Sequence, residues 1–290
     1  MVRDTITHDT TVIVSPPSAR SRVHECDTPN SAWLFCDDFE SDRRSSYFEY
    51  DERGGSFVRR DSVGVDGSWG MRAHFAPHQV NAGSIKLAFG KTPSARLRSV
   101  DSGRVAYREV YWRFYVRNDS GWTGGGGDKL TRAQSLVTPQ WAQAMAAHVW
   151  SGRGGRANWL MLDPASGTDQ SGALQTVGYN DFAHLRWLGT QPGRTPIFDS
   201  WHTGKWHCVE THVRLNDPGA SNGVFELWVD GELDGKREWL NWVGVSRDYG
   251  INVIFVENYW NDGAPVEESR EIDNLVVSTG RIGCGTQQFR

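Results

Sequence analysis

From Trp206 to Leu215 the chain alternates. Val209, Thr211, Val213 and Leu215 fall on one side, and Cys208, Glu210, His212 and Arg214 on the other. Side chains of an extended strand change face at every residue, so the pattern predicts a half-buried strand. The turn-rich stretch NDPGASNG follows, and a second strand is predicted over Val224 to Val229, with Phe225, Leu227 and Val229 opposite Glu226 and Trp228. Asp230-Gly231 then predicts a tight turn. The longest alternating run is Val105 to Arg117. It sets Val110, Trp112, Phe114 and Val116 against Glu109, Tyr111, Arg113, Tyr115 and Arg117. In both regions the second face mixes charge with aromatic rings, which a merely solvated face does not require.

Further short strands are expected at Trp33 to Glu40, Ser68 to Phe75, Ile85 to Phe89, Asn158 to Leu162, Ile251 to Val256 and Glu271 to Ser278, bounded by Gly, Asn and Asp. Residues 141–150, WAQAMAAHVW, fit a short helix by alanine content. Their context favours a strand with Gln143 and His148 on opposite faces. The stretch 121–132, GWTGGGGDKLTR, reads as a glycine-rich loop. It is not a phosphate loop, because it lacks the Walker spacing and Leu130 follows Lys129. Residues 165–200 are loop-rich and place Tyr179, Asp181, His184, Arg186 and Trp187 within reach of a groove rim. Residues 236–250 read as a long connection carrying Trp239 and Trp242. Many short strands and no long amphipathic helix predict an all-β fold, an antiparallel sandwich or jelly roll. The expected organisation is a flexible N-terminal arm over residues 1–30 and a single jelly-roll domain over residues 31–290.

Composition narrows the function. With 31 basic and 35 acidic residues the net charge is −4, which argues against a nucleic-acid footprint, since neutralising phosphates needs a basic surface. No apolar run approaches the roughly 20 residues of a membrane span. Fourteen tryptophans beside only four methionines suit either core filling or sugar stacking. Cys26, Cys36, Cys208 and Cys284 form no CxxC pair, so disulfides in an exported protein are expected rather than a metal site. One link is expected to tie the two ends of the domain together, and pairing of Cys26 with Cys36 is equally open. An extracellular location follows, although the apolar run Val12–Val14 is too short for a secretion leader.

Several of these stretches resemble one family. REVYWRFYVR, the glycine-rich loop ending in DKL, KWHCVETHVRLNDPGASNGVFELWVDGE and the closing IDNLVVS resemble the concanavalin A-like jelly-roll polysaccharide lyases, the alginate and glucuronan lyases among them. The resemblance covers about residues 33–284. It implies the lectin/glucanase type of sandwich, with a concave sheet that binds an acidic polysaccharide and cleaves it by β-elimination. By that likeness Lys129 matches the loop lysine, with an inserted Asp128 before it. Tyr259, in ENYW, stands for the family tyrosine, and His148 and Gln134 for further site residues.

Elimination from a uronate needs a cation to neutralise the carboxylate, a base for the adjacent C–H proton, and an acid for the leaving oxygen. Arg113, Lys129 and Arg214 are candidates for the first, and His148, His212 and Tyr259 for the proton transfers. The catalytic expectation is therefore Lys129, His148, Tyr259 and Arg113. Tyr111, Tyr115, Gln134, Glu210, His212, Arg214, Glu226 and Trp228 are expected to bind substrate in one trough. No cofactor is required for this chemistry. Asp37, Asp38 and Glu40 at the first strand and Asp273 in the last form a structural calcium expectation, with Asp38, Glu40 and Asp273 as ligands. A monomer is expected. Two other readings stand beside the lyase. A non-catalytic carbohydrate-binding module would use the same aromatic and charged face. A retaining glycosidase would need two carboxylates about 5 Å apart, but Glu226 and Asp230 do not form the E-x-D-x-x-E pattern of jelly-roll glucanases.

Overall fold

The computed structural model describes residues 24–123 and 129–285. Their alternating segments form two antiparallel sheets of eight strands each. The back sheet contains β1 (Trp33–Asp37), β3 (Phe57–Arg60), β4 (Gly70–Phe75), β6 (Glu109–Asn118), β12 (Trp206–Arg214), β13 (Gly223–Val229), β14 (Glu232–Leu240) and β16 (Glu268–Ser278). Its order is β14-β13-β12-β6-β16-β4-β3, with β1 also on β16. The front sheet contains β2 (Glu49–Asp51), β5 (Asn81–Ala88), β7 (Lys129–Leu136), β8 (Gln143–Ser151), β9 (Leu160–Ser166), β10 (Arg186–Trp187), β11 (Gln191–Pro192) and β15 (Val253–Tyr259). Its order is β10-β9-β8-β7-β15-β5-β2, with β11 also on β9. The architecture is a β-sandwich of jelly-roll type.

The apolar faces meet between the sheets. Val110, Trp112, Phe114 and Val116 of β6 and Phe225, Leu227 and Val229 of β13 are buried there, with Ala133, Val149, Leu162, Ile254 and Val256 from the front sheet. Trp112 also donates its indole N–H to Thr131 Oγ1 at 3.0 Å, which satisfies a polar atom in the middle of the core. Asp230 and Gly231 both have positive φ, 53° and 90°, as the two-residue turn between β13 and β14 requires.

The first and last strands pair, Cys36 lying opposite Val276. The disulfides are Cys26–Cys36 and Cys208–Cys284, so Cys284 is tied to the middle of the chain and not to Cys36. Residues 24–30, expected to be part of a flexible arm, are held by the first of these bridges and by the ion pair of Glu25 with buried Arg113. Residues 1–23 and the glycines 124–127 lie outside the described residues.

Three local expectations are corrected. Lys129, expected in a loop, opens β7, a central strand. The connection after residue 236 is strand as far as Leu240. It passes through a register irregularity in which Trp239 has φ 61°. In β8 the register slips between Ser135 and Leu136 and brings Gln143 opposite Leu136. Gln143 therefore joins the face of Gln134 and His148 instead of opposing it.

Candidate active site

The residues expected to form one trough occupy opposite outer faces of the sandwich. On the back sheet the expected neighbours are adjacent. Tyr111 and Glu226 flank His212, and Arg113 and Trp228 flank Glu210. This face is closed by the chain itself. Arg113 is fully buried; its guanidinium donates to Glu25 Oε2 at 2.9 Å and to the Asn274 carbonyl at 3.1 Å. Glu210, also fully buried, accepts the N–H groups of Ile282 at 2.7 Å and Gly283 at 3.0 Å. Tyr115 accepts the N–H of Gly285 at 2.9 Å, and the Arg281 guanidinium lies 4.6 Å above the Trp228 ring.

The remaining members of this set are partnered internally. His212 stacks on Tyr111 at 4.1 Å, with its ring nitrogens 2.7 Å from Glu226 and 2.8 Å from Glu109. Arg214 donates to the Asn222 carbonyl at 2.5 Å. Burial, with the neighbouring Glu109 carboxylate, pushes the Tyr111 hydroxyl up to about 12. The trough expectation is corrected here, because Gln134 lies on the other sheet and the two disulfide-anchored terminal segments contact Arg113, Glu210, Tyr115 and Trp228. Arg113 consequently lies on the other side of the sandwich from Lys129, His148 and Tyr259.

Those three share the outer face of the front sheet. Lys129 pairs with Tyr259 on β15 and with Trp150 on β8, and Arg132 pairs with His148. The Lys129 ammonium sits 4.0 Å from the Tyr259 ring centre and 5.9 Å from that of Trp150. It forms no hydrogen bond or ion pair among the described residues. Burial holds its pKa below the usual lysine range, against the pull of the Glu257 carboxylate. Lys129, Tyr259 and Glu257 line a cavity of about 210 Å³ together with Lys86, Tyr179 and Asn180. A second cavity of about 260 Å³, lined by Trp150, Met161, Asp163, Thr190 and Asn261, extends the same face.

His148 is fully buried in the floor. Its Nδ1 lies 3.0 Å from the Asp163 carbonyl oxygen. A carbonyl only accepts, so Nδ1 carries the proton and Nε2 the lone pair. Burial, then the Arg132 cation, pushes the imidazole well below its ordinary value and keeps it neutral. Among the described residues its Nε2 has no partner, nor do either amide atom of Gln134 or of Gln143, Arg132 Nε and Glu257 Oε2. Seven such atoms lie on this one face, and native proteins leave few buried polar groups unpaired. Half-buried Asp163 is pushed up to about 6 by burial.

Arg132, Glu257, Asp163 and Trp150 were not singled out by sequence reasoning. The alternation Lys129, Arg132, Gln134 was the available signal, but the register shift between Lys129 and Thr131 breaks its period. The acidic residues expected to hold calcium accept backbone N–H groups. Asp38 accepts from Cys26 and Glu40 at 3.3 Å each, Glu40 accepts from Trp69 at 3.0 Å, and Asp273 accepts from Val65 and Asn274 at 2.8 Å. Among the described residues no group of three or more His, Cys, Asp or Glu is placed to hold a metal.

No protein-family model matches the chain, and no curated protein matches it in sequence. Solved structures with a similar fold include the endo-β-1,4-glucuronan lyase of the fungus Trichoderma reesei. Its TM-score is 0.58 at 13% identity, covering 86% of this chain and 96% of that one. The alginate lyase vAL-1 from Chlorella virus has a TM-score of 0.56 at 11% identity, covering 81% and 94%. The PL-14 alginate lyase of Aplysia kurodai has a TM-score of 0.51 at 11% identity, covering 78% and 88%. The chain therefore has the jelly-roll architecture found in these polysaccharide lyases.

Proposed function

We propose that the chain is a polysaccharide lyase that cleaves a uronate-containing polysaccharide by β-elimination on the outer face of the front sheet. The observation that carries this reading is the Lys129–Tyr259 pair. It combines a partly desolvated ammonium, with no hydrogen-bonded or ion-paired carboxylate among the described residues, and a hydroxyl-bearing ring 4.0 Å from it, both lining one cavity. An ammonium poised in this way pairs with the uronate carboxylate, which acidifies the C5 hydrogen. That hydrogen leaves as a proton and its electrons form the C4–C5 double bond. The C4–O bond breaks with its pair on the leaving oxygen, which takes up a proton. The Tyr259 hydroxyl, partly exposed in the cavity, is assigned to proton exchange at these two positions. His148, neutral with a free Nε2, is a further proton acceptor in the floor behind Trp150. Trp150 and Trp187 supply sugar-stacking surface, with ring centres 6.4 Å apart.

Two disulfides support action outside the cell, where such bonds persist. The fold shared with glucuronan and alginate lyases supports the same substrate class. The test is to mix the protein with glucuronan and with alginate and to follow ultraviolet absorbance of the unsaturated product. Turnover that disappears in Lys129→Ala and Tyr259→Phe, with unchanged circular dichroism, is expected. Binding without any unsaturated product would replace the enzyme by a carbohydrate-binding module.

A further inference from the structure

Arg132 is on the same strand as Lys129, on the same face, and is fully buried. Its Nη1 donates to Asn180 Oδ1 at 3.0 Å, and its Nη2 to the Tyr179 hydroxyl at 2.5 Å and to Glu257 Oε1 at 2.8 Å. Two of these three partners come from one short corner of the long segment that connects β9 to β10. Part of the corner's bonding is internal: the Asp181 carboxylate accepts the Val177 N–H at 2.9 Å and lies 2.8 Å from His184 Nδ1. Asn180 holds φ 56°, a conformation that costs about 1 kcal/mol or more outside glycine. Val177 points 75% exposed into solvent. On its inner side Tyr179 packs its ring against the edge of Trp141 at 5.3 Å and over a small apolar cluster of Leu136, Val253 and Phe255. Gln134 sits between Val253 and Ala146 in the register of this same face. Fully buried, it has no partner among the described residues for either end of its amide.

We propose that the Tyr179–Asn180 corner is a displaceable cover over a further sugar subsite, whose floor is Arg132 and Gln134 and whose ligand is a carboxylate-bearing sugar ring. This rests on the uronate reading of the groove. The sugar carboxylate takes the two guanidinium contacts now held by the Tyr179 hydroxyl and the Asn180 amide, a geometry that suits a bidentate Arg–carboxylate pair. The Gln134 amide then meets sugar hydroxyls. To swing outward the corner gives up one further external bond, the Tyr179 N–H donated to the Gln140 carbonyl at 3.1 Å; the Asp181 bonds to Val177 and His184 are internal and travel with it.

The experiment is amide hydrogen exchange of residues 177–184 in the full chain, free and with a saturated uronate oligosaccharide, for the wild type and Tyr179→Phe. Affinities for the same oligosaccharide are read by calorimetry. Faster exchange of this segment on binding is expected, the reverse of what a merely packed loop shows. The Tyr179→Phe chain, lacking only the hydroxyl, should exchange faster without ligand and bind about tenfold tighter, the scale of one hydrogen bond to a charged group. Asn180→Gly, which keeps the backbone conformation, should act in the same direction. Unchanged exchange in both variants, or added protection on binding, overturns the cover while leaving the groove intact. Failure of every form to bind uronate overturns the cover's ligand and the lyase reading together.

Discussion

Removing the Cys208–Cys284 bridge tests how the back sheet is closed. The bridge spans 76 residues of sequence. Loop-closure entropy for such a loop is worth about 4.5 kcal/mol at room temperature, against about 2.7 kcal/mol for the Cys26–Cys36 bridge, which spans 10. With about 2.1 cal/mol/K of unfolding entropy per residue, 290 residues turn these losses into drops in Tm of about 7 and about 4 °C. The long bridge also anchors residues 282–285, whose N–H groups satisfy the buried Glu210 carboxylate and the Tyr115 hydroxyl. Once they leave, Glu210 faces Arg113 and water, and the true loss exceeds the entropic figure. The variant Cys208→Ala/Cys284→Ala, unfolded in guanidinium and followed by calorimetry and by tryptophan fluorescence, reads this directly. A loss under about 1 kcal/mol would mean that the C-terminal segment holds without its covalent anchor, and the account of the closed face would be wrong.

Other perturbations address the front sheet. Glu257→Ala strips the one carboxylate from a fully buried guanidinium, so denaturant unfolding should show a loss of about 3–5 kcal/mol. Asp163 has its folded pKa raised to about 6, so its ionisation above that value costs stability that is absent near pH 4. Asp163→Asn should match the wild type in Tm at pH 4 and exceed it at pH 8, and equal melting at both would contradict the desolvation argument. His148 has the opposite sign. Its folded pKa is depressed, so the wild type loses stability as pH falls below the unfolded value of about 6.5. His148→Gln should flatten that limb of the Tm profile, and a limb of unchanged slope would place the titration elsewhere.

The alternating runs were enough to predict β6, β12 and β13, the faces they bury and the turn at Asp230-Gly231. Periodicity of two is a local property, and the apolar half of each run has one destination, the space between sheets. β7 stayed hidden for the same reason in reverse. Leu130 is its one large apolar residue in the core, its other inward residues Thr131, Ala133 and Ser135 are small or polar, its outward residues are Lys129, Arg132, Gln134 and Leu136, and no alternating apolar run announces a strand. The pattern placed Tyr111, Arg113, Glu210 and His212 side by side, yet it carried no information on what lies above them. Only the tertiary structure decided that the segments bridged at Cys26 and Cys284 cover the back sheet, and that Lys129 meets Tyr259 across strands 130 residues apart in sequence. Such contacts follow from which strand neighbours which, a choice made by the packing of the whole sandwich and not by any stretch of chain alone.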